Sequence, residues 1–125
     1  MCHQTVSLIA RHLEGLGIPT LCLASALDII EAGNPPRSVF IDYPLGHTCG
    51  KPFDPDDQYA IARASLAEFE TQQVPGAVVH LPNQWAADEA WKQSAMDPSQ
   101  GDTRRPRDTT PQYQTEEDRR LAEGA

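Results

Sequence analysis

The residues with the clearest chemical potential stand at the start of the chain, where Cys2 and His3 precede an amphipathic segment. Apolar residues recur at helical spacing from Thr5 to Leu16, which predicts a helix capped by Thr5, with Cys2 near its N-terminus and Gly17 as the glycine that ends it. Unpaired backbone N–H groups and the helix dipole favour the thiolate there, and the thiolate is the reactive form of cysteine. His3 could donate a proton or tune that thiolate. The alternative is a frayed terminal cysteine beside an exposed histidine without a role.

A second group of reactive side chains lies in a loop rich in glycine and proline, residues 44–55. His47 could transfer a proton and Lys51 could hold an anion such as a carboxylate, while Gly46 and Gly50 would let the backbone approach a ligand closely. The sequence therefore predicts substrate-binding residues at Gly46, His47 and Lys51. The alternative is a structural loop shaped by its glycines and prolines. Too few ligand residues are close in sequence for zinc, and no phosphate-binding glycine fingerprint is present, so we expect neither a metal nor a cofactor.

These residues are embedded in an alternation of helical and strand-like segments. The predicted helices and strands, in chain order, are helix 5–16, strand 19–24, helix 26–32, strand 38–43, helix 56–73, strand 77–81 and helix 83–95. Ser25 and Asp56 are the expected caps of the second and third helices. This alternation predicts an α/β fold, a partial three-layer parallel sheet with crossover helices. Cys2 and the 44–55 loop would then lie at the carboxyl edge of the sheet, where sites of open α/β folds gather.

The first predicted element is a helix with a strongly apolar face, and in a βα unit a strand normally precedes such a helix. Residues 1–4 are too short to form that strand. The sheet is therefore expected to lack one or more N-terminal strands. Either a partner provides the missing strand or the chain is a truncated version of a longer protein, and truncation is our expectation.

The composition changes near residue 96. Residues 1–96 alternate apolar runs with turns and predict an α/β domain, whereas residues 97–125 are charged and poor in large aliphatic residues, which predicts a flexible tail with at most a loose helix near 116–123. The net charge is −8 and neither part is basic, which argues against nucleic acid as a ligand. No apolar run is long enough for a membrane span. Three cysteines are too few for a secreted disulfide framework, so a cytoplasmic location is expected.

Two segments, CHQTVSLIARHLEGLGIPTLCL and NPPRSVFIDYPLGHTCGKPFDPDDQ, resemble the selenoprotein B family of the glycine, sarcosine, betaine and D-proline reductases. The likeness is greatest to short cysteine-containing relatives, and it covers their C-terminal portion. It implies a redox pair before the first helix, in which Cys2 corresponds to the second member and the upstream partner is absent here. It also implies reductive C–N cleavage of an amino-acid-like substrate, with a thiol reductant or partner reductase subunit restoring the thiol.

Two functions are therefore open. The first is an oxidoreductase, or a fragment of one, with Cys2 and His3 as catalytic residues. The second is a noncatalytic subunit or interaction domain that docks on a partner chain through an exposed helix face and the tail. An oligomer is open for either function.

Overall fold

The structure, a computed structural model, describes residues 2–97 and 110–124. Within these ranges the chain alternates five helices with three short strands. In chain order they are α1 (Cys2–Gly15), β1 (Cys22–Ala24), α2 (Leu27–Gly33), β2 (Ser38–Phe40), α3 (Pro55–Thr71), β3 (Val78–His80), α4 (Ala90–Met96) and α5 (Glu116–Ala122). The predicted α/β alternation is confirmed, although every strand is shorter than its apolar run.

The three strands form a parallel sheet in the order β1-β2-β3. Successive strand residues point to opposite faces, so the sheet has two separate apolar clusters. One cluster contains Cys22 and Ala24 together with Ala10 of α1 and Ile30 of α2. The other contains Ile41 and Tyr43, which follow β2, and Ile61 of α3. Leu23 and Trp85 pack against this cluster. Helices thus cover both faces, and the predicted three-layer arrangement is confirmed.

Helix α1 begins at Cys2 within the described residues, so the prediction that Thr5 caps it is wrong. Its C-terminus follows the expected pattern. Gly17 has φ 81°, its N–H donates to the Glu14 carbonyl, and the Ile18 N–H donates to the Leu13 carbonyl. This is a Schellman ending, in which glycine adopts the left-handed conformation at low cost.

Two further predicted caps are wrong. Ala26, not Ser25, precedes α2 and makes no side-chain cap bond. The Ser25 hydroxyl instead donates to the Thr48 Oγ1, 2.8 Å away. Asp54, not Asp56, caps α3, with its side chain accepting from the Asp57 N–H. Pro at the first position of α3 explains the shift, since Pro55 is suited to helix position N1.

The apolar stripes predicted for α1 and α3 are largely exposed. Each helix buries one residue of its predicted stripe, Ala10 in α1 and Ile61 in α3, together with a serine outside it, Ser7 or Ser65. The exposed stripe residues are Val6, Ile9 and Leu16 in α1, and Tyr59, Leu66 and Phe69 in α3. The periodicity therefore marked both helices correctly, but only part of each predicted stripe packs.

The last two helices differ in length from the prediction. The helix expected at 83–95 is confined to Ala90–Met96, and residues 85–89 form bends. Helix α5 confirms the helix expected near 116–123. It has a capping box between Thr115 and Asp118 and buries no residue. The described residues up to Ala95 form one compact unit, and those that follow form a second. Part of the predicted tail, residues 98–109 and 125, lies outside the described residues, as does the cluster at Arg104, Arg105 and Arg107.

Candidate functional site

Cys2 and His3 form a contact at the exposed N-terminus of α1. The Cys2 Sγ lies 3.6 Å from the His3 Nδ1. The opposite ring nitrogen, Nε2, accepts the Ser25 N–H at 3.0 Å. Because Nε2 is an acceptor, the neutral imidazole carries its proton on Nδ1, the nitrogen that faces the sulfur. His3 is half-buried and fixed in orientation, and its N–H can hydrogen-bond to a thiolate.

The Ser25 contact also fixes where this pair lies in the fold. Ser25 directly follows β1, so His3 and Cys2 are held at the carboxyl end of that strand. The Ser25 hydroxyl donates to Thr48, which belongs to the 44–55 loop. Both predicted groups of reactive residues therefore lie at the carboxyl edge of the sheet, where parallel strands open toward solvent. One serine links them through its N–H and its hydroxyl.

The 44–55 loop and the start of α3 enclose a cleft of about 640 Å³. Gly46 and His47 line it, as does the exposed thiol of Cys49. The His47 ring lies 5.0 Å from the Trp85 ring, so Trp85 supports it. Gly46 has φ 92° and open space where a side chain would start. Two of the three residues predicted to bind substrate thus share one cavity.

Lys51, the third predicted residue, is not part of the lining of this cleft. Its Nζ lies 5.8 Å from the centre of the Tyr43 ring, and its backbone N–H donates to the Asp57 carboxylate at 3.0 Å. Its carbonyl accepts from the Gln58 side-chain amide at 2.7 Å. The backbone of Lys51 therefore anchors the loop to α3.

Gly50 also helps to anchor the 44–55 loop to α3. It is buried with φ 123°, and a Cβ there would lie 2.7 Å from Gln58 Cγ and 2.9 Å from Gln58 Cα. The close approach expected at this glycine is made to the first turn of α3, and Gly50 also lines the 640 Å³ cleft.

Asp57 organises this region and was missed by sequence reasoning. Its carboxylate accepts from the Tyr43 hydroxyl at 2.8 Å, the Lys51 N–H at 3.0 Å and the Asn83 amide at 3.1 Å. We call these four residues the Asp57 cluster. An available signal was its place in the first turn of α3, since an acidic side chain is favoured near a helix N-terminus.

The Asp57 cluster shifts the ionisation of two of its members. Burial opposes ionisation of Asp57, but the hydrogen bonds from Lys51, Tyr43 and Asn83 outweigh it and hold the pKa of that carboxyl below its ordinary value. Burial, together with the bond to Asp57, raises the pKa of Tyr43 to about 12. Asp57 is thus a carboxylate and Tyr43 a neutral donor at neutral pH.

The third cysteine differs from the other two. Cys22 is buried in β1, its sulfur lies 3.8 Å from the Val6 carbonyl, and burial raises the pKa of its thiol. The expectation that Cys22 is packing is confirmed. Among the described residues no group of three or more His, Cys, Asp or Glu side chains is arranged to hold a metal ion. No described helix has the length and apolar character needed to cross a membrane.

The chain is 31% identical over 86 residues to D-proline reductase subunit gamma of Acetoanaerobium sticklandii. The aligned part covers 69% of this chain and 36% of that subunit. No family model matches the chain, and no solved structure matches it. The chain is therefore distantly related to a reductase subunit and spans about a third of its length.

Proposed function

We propose that this chain is a thiol-dependent reductase component, related to the selenoprotein B subunits, that acts through Cys2 in the cytoplasm. The observation that carries the proposal is the fixed His3 ring, whose Nδ1 faces the Cys2 sulfur while Nε2 accepts the Ser25 N–H. A donor held against sulfur stabilises the thiolate, and the first turn of α1 adds its backbone N–H groups. The relationship to a D-proline reductase subunit supports the same class of chemistry.

The proposed reaction is reductive cleavage of a C–N bond in an amino-acid-like substrate. The Cys2 thiolate attacks the α-carbon; a C–S bond forms, the C–N bond breaks, and the amine leaves with the bonding pair and takes a proton. A thiol of a reductant or partner reductase subunit then attacks the Cys2 sulfur. An S–S bond forms, and the α-carbon keeps the C–S pair and takes a proton. Two thiols are oxidised while C–N becomes C–H.

The 640 Å³ cleft would bind the substrate in this proposal. Gly46 and His47 line it, and His47 is positioned by Trp85 to hydrogen-bond with a polar ligand. Lys51 would contribute through its ammonium group, which can attract a carboxylate. Ser25 and Thr48 connect this loop to the Cys2 end of the sheet.

Thiol reactivity provides the test, because Cys49 is a matched exposed cysteine in the same chain. Iodoacetamide labelling followed by peptide mass spectrometry should modify Cys2 faster than Cys49 across neutral pH, with Cys22 slowest. His3→Gln should bring the Cys2 rate close to that of Cys49. Incubation with D-proline should then give a Cys2 adduct that dithiothreitol releases, and Cys2→Ser should abolish it. Faster labelling of Cys49 than of Cys2 would refute the assignment of Cys2.

The alternative, a noncatalytic subunit that docks on a partner, is favoured by a different observation. Helix α1 exposes Leu8, Ile9 and Leu16 by more than half of their surface. Exposed apolar side chains of this size are typical of docking faces. If Cys2 is no more reactive than Cys49, the structure favours this second function.

A further inference from the structure

We infer that the open side of β1 binds an extended apolar strand of a companion polypeptide, parallel to β1 and with its carboxyl end at Cys2. This binding site is independent of the chemistry proposed for Cys2. Its test therefore does not depend on whether the chain is catalytic.

The backbone of β1 supplies the first argument. The Cys22 N–H donates to the Arg37 carbonyl, and the Ala24 carbonyl accepts from the Ile41 N–H, so both residues direct their backbone groups toward β2. Leu23 lies between them and directs its N–H and carbonyl the other way. Among the described residues β1 has no strand on that side. Such an edge is a template for another strand.

A groove beside this edge supplies the second argument. It has a volume of about 240 Å³ and lies between α1 and β1. Its apolar lining comes from both elements and includes Val6, Ile9, Leu13, Leu21 and Leu23. Val6 is 42% and Ile9 52% exposed. We call this the β1 groove, and its combination of apolar side chains with open backbone groups suits a strand better than a helix.

Both ends of the β1 groove are closed by side chains of α1. Glu14 Oε1 accepts the Thr20 N–H at 2.6 Å at one end. His3 Nε2 accepts the Ser25 N–H at 3.0 Å at the other. The backbone open to pairing therefore extends only over Leu21–Ala24. This window fits only a short strand, so alternative registers of pairing are excluded.

The position of α1 sets the direction of the docked strand. The N-terminus of α1 lies at the carboxyl end of β1, where His3 contacts Ser25. In α/β folds the place in the sheet beside the N-terminus of such a helix is taken by a strand that runs parallel to its neighbour. A strand in the β1 groove that ends near Cys2 takes that place in the sheet.

Charge and symmetry favour a companion over a second copy. Each chain carries a net charge of −8, so two copies repel, whereas a strand flanked by lysines is attracted. Two copies of β1 that pair about a twofold axis would also run antiparallel. The occupant is therefore an apolar strand with basic flanks.

A disulfide-cyclised β-hairpin peptide is a suitable probe, because its strands are already ordered before binding. Its outer strand alternates valine and threonine between two lysines. A control peptide of the same sequence is N-methylated at the outward-facing amides, so these can no longer donate hydrogen bonds. Titration of the full 125-residue chain should show saturable binding of the first peptide and protection of the Leu23 amide from hydrogen exchange. A spin label at the carboxyl end of the strand should broaden signals of His3 and not those of Glu14.

The matched variants are Ile9→Lys, in the groove, and Leu8→Lys, equally exposed on the same helix but outside it. Ile9→Lys should weaken binding by about tenfold or more, and Leu8→Lys by less than about twofold. Absence of saturable binding at millimolar peptide, equal binding of the N-methylated control peptide, or broadening at Glu14 would each overturn the proposal. A wild-type dimer in sedimentation that Ile9→Lys dissociates would assign the β1 groove to a second copy and also overturn it.

Discussion

The Asp57 cluster and the β1 groove adjoin different strands of the sheet, and they differ in what the chain itself provides. In the Asp57 cluster a hydroxyl, a backbone N–H and an amide all reach one carboxylate from residues 6 to 26 positions away. At the β1 groove, apolar side chains and the backbone of Leu23 meet no described strand. Stability therefore rests on the first region, while the second is available for binding, and substitutions should separate these two roles.

The largest expected effect comes from Asp57→Ala. It leaves the Tyr43 hydroxyl and the Asn83 amide without their acceptor and releases the Lys51 N–H, so it should lower the free energy of unfolding by about 2–4 kcal/mol. Urea unfolding measures this loss. Asp56→Ala is the matched control, because it also removes a carboxylate from the first turn of α3 but an exposed one, and it should cost less than about 0.5 kcal/mol. Equal losses would show that the Asp57 cluster is not what holds the loop.

Gly50→Ala tests the anchoring of the loop by backbone contact. A Cβ at this positive φ meets Gln58 Cα at 2.9 Å, so unfolding free energy should fall by about 2–3 kcal/mol. Gly46→Ala carries the strain of φ 92° without any neighbour within 4 Å, and should lose only about 1 kcal/mol. Thermal unfolding of the two variants side by side gives the difference. A larger loss at Gly46 would contradict the packing described here.

Glu14→Gln tests the polar end of α1, with a smaller effect. Hydrogen bonds from Thr20 and the pairing with Arg37 hold the pKa of Glu14 below its ordinary value of 4.5. The stabilisation is therefore present above that value and is lost as pH falls through the lowered pKa. At pH 7 the variant should lose about 1 kcal/mol. The gap to wild type should close in acid, whereas the exposed control Glu31→Gln should show no gap.

The smallest effect is spectroscopic. The ultraviolet absorbance of phenolate should show Tyr43 ionising only near pH 12, because burial and the bond to Asp57 raise its pKa to about 12. A raised pKa in the folded state means that the neutral phenol contributes stability below the ordinary value of 10.0, and that this is lost as pH rises toward 12. Asp57→Asn should lower the pH at which Tyr43 ionises, and Tyr43→Phe, as the control, should remove that part of the titration. A Tyr43 titration that Asp57→Asn leaves unchanged would contradict the Asp57–Tyr43 bond.

The sequence predicted the order of elements because each apolar run and each turn is a local signal. It predicted the Schellman glycine Gly17 for the same reason. It could not predict that Leu66 and Phe69 stay exposed, because which side of a helix packs depends on the elements beside it. Nor could it pair Asp57 with Asn83, since hydrogen bonds across 26 residues leave no periodic pattern. The Cys2 and 44–55 groups were found from residue chemistry, but their link through Ser25 needed three-dimensional structure.

Helix α1 is held mainly at its ends, by the His3–Ser25 bond and by the contacts of Glu14, and one buried atom reports on that attachment. The Cys22 sulfur lies beneath α1, 3.8 Å from the Val6 carbonyl. A thiol reagent can reach it only when α1 lifts from the sheet, so its labelling rate, divided by that of an unprotected cysteine, measures the free energy of that local opening. The labelling rate of Cys22 therefore reports on the detachment of one helix. A strand bound in the β1 groove, which Cys22 helps to line, would slow that labelling.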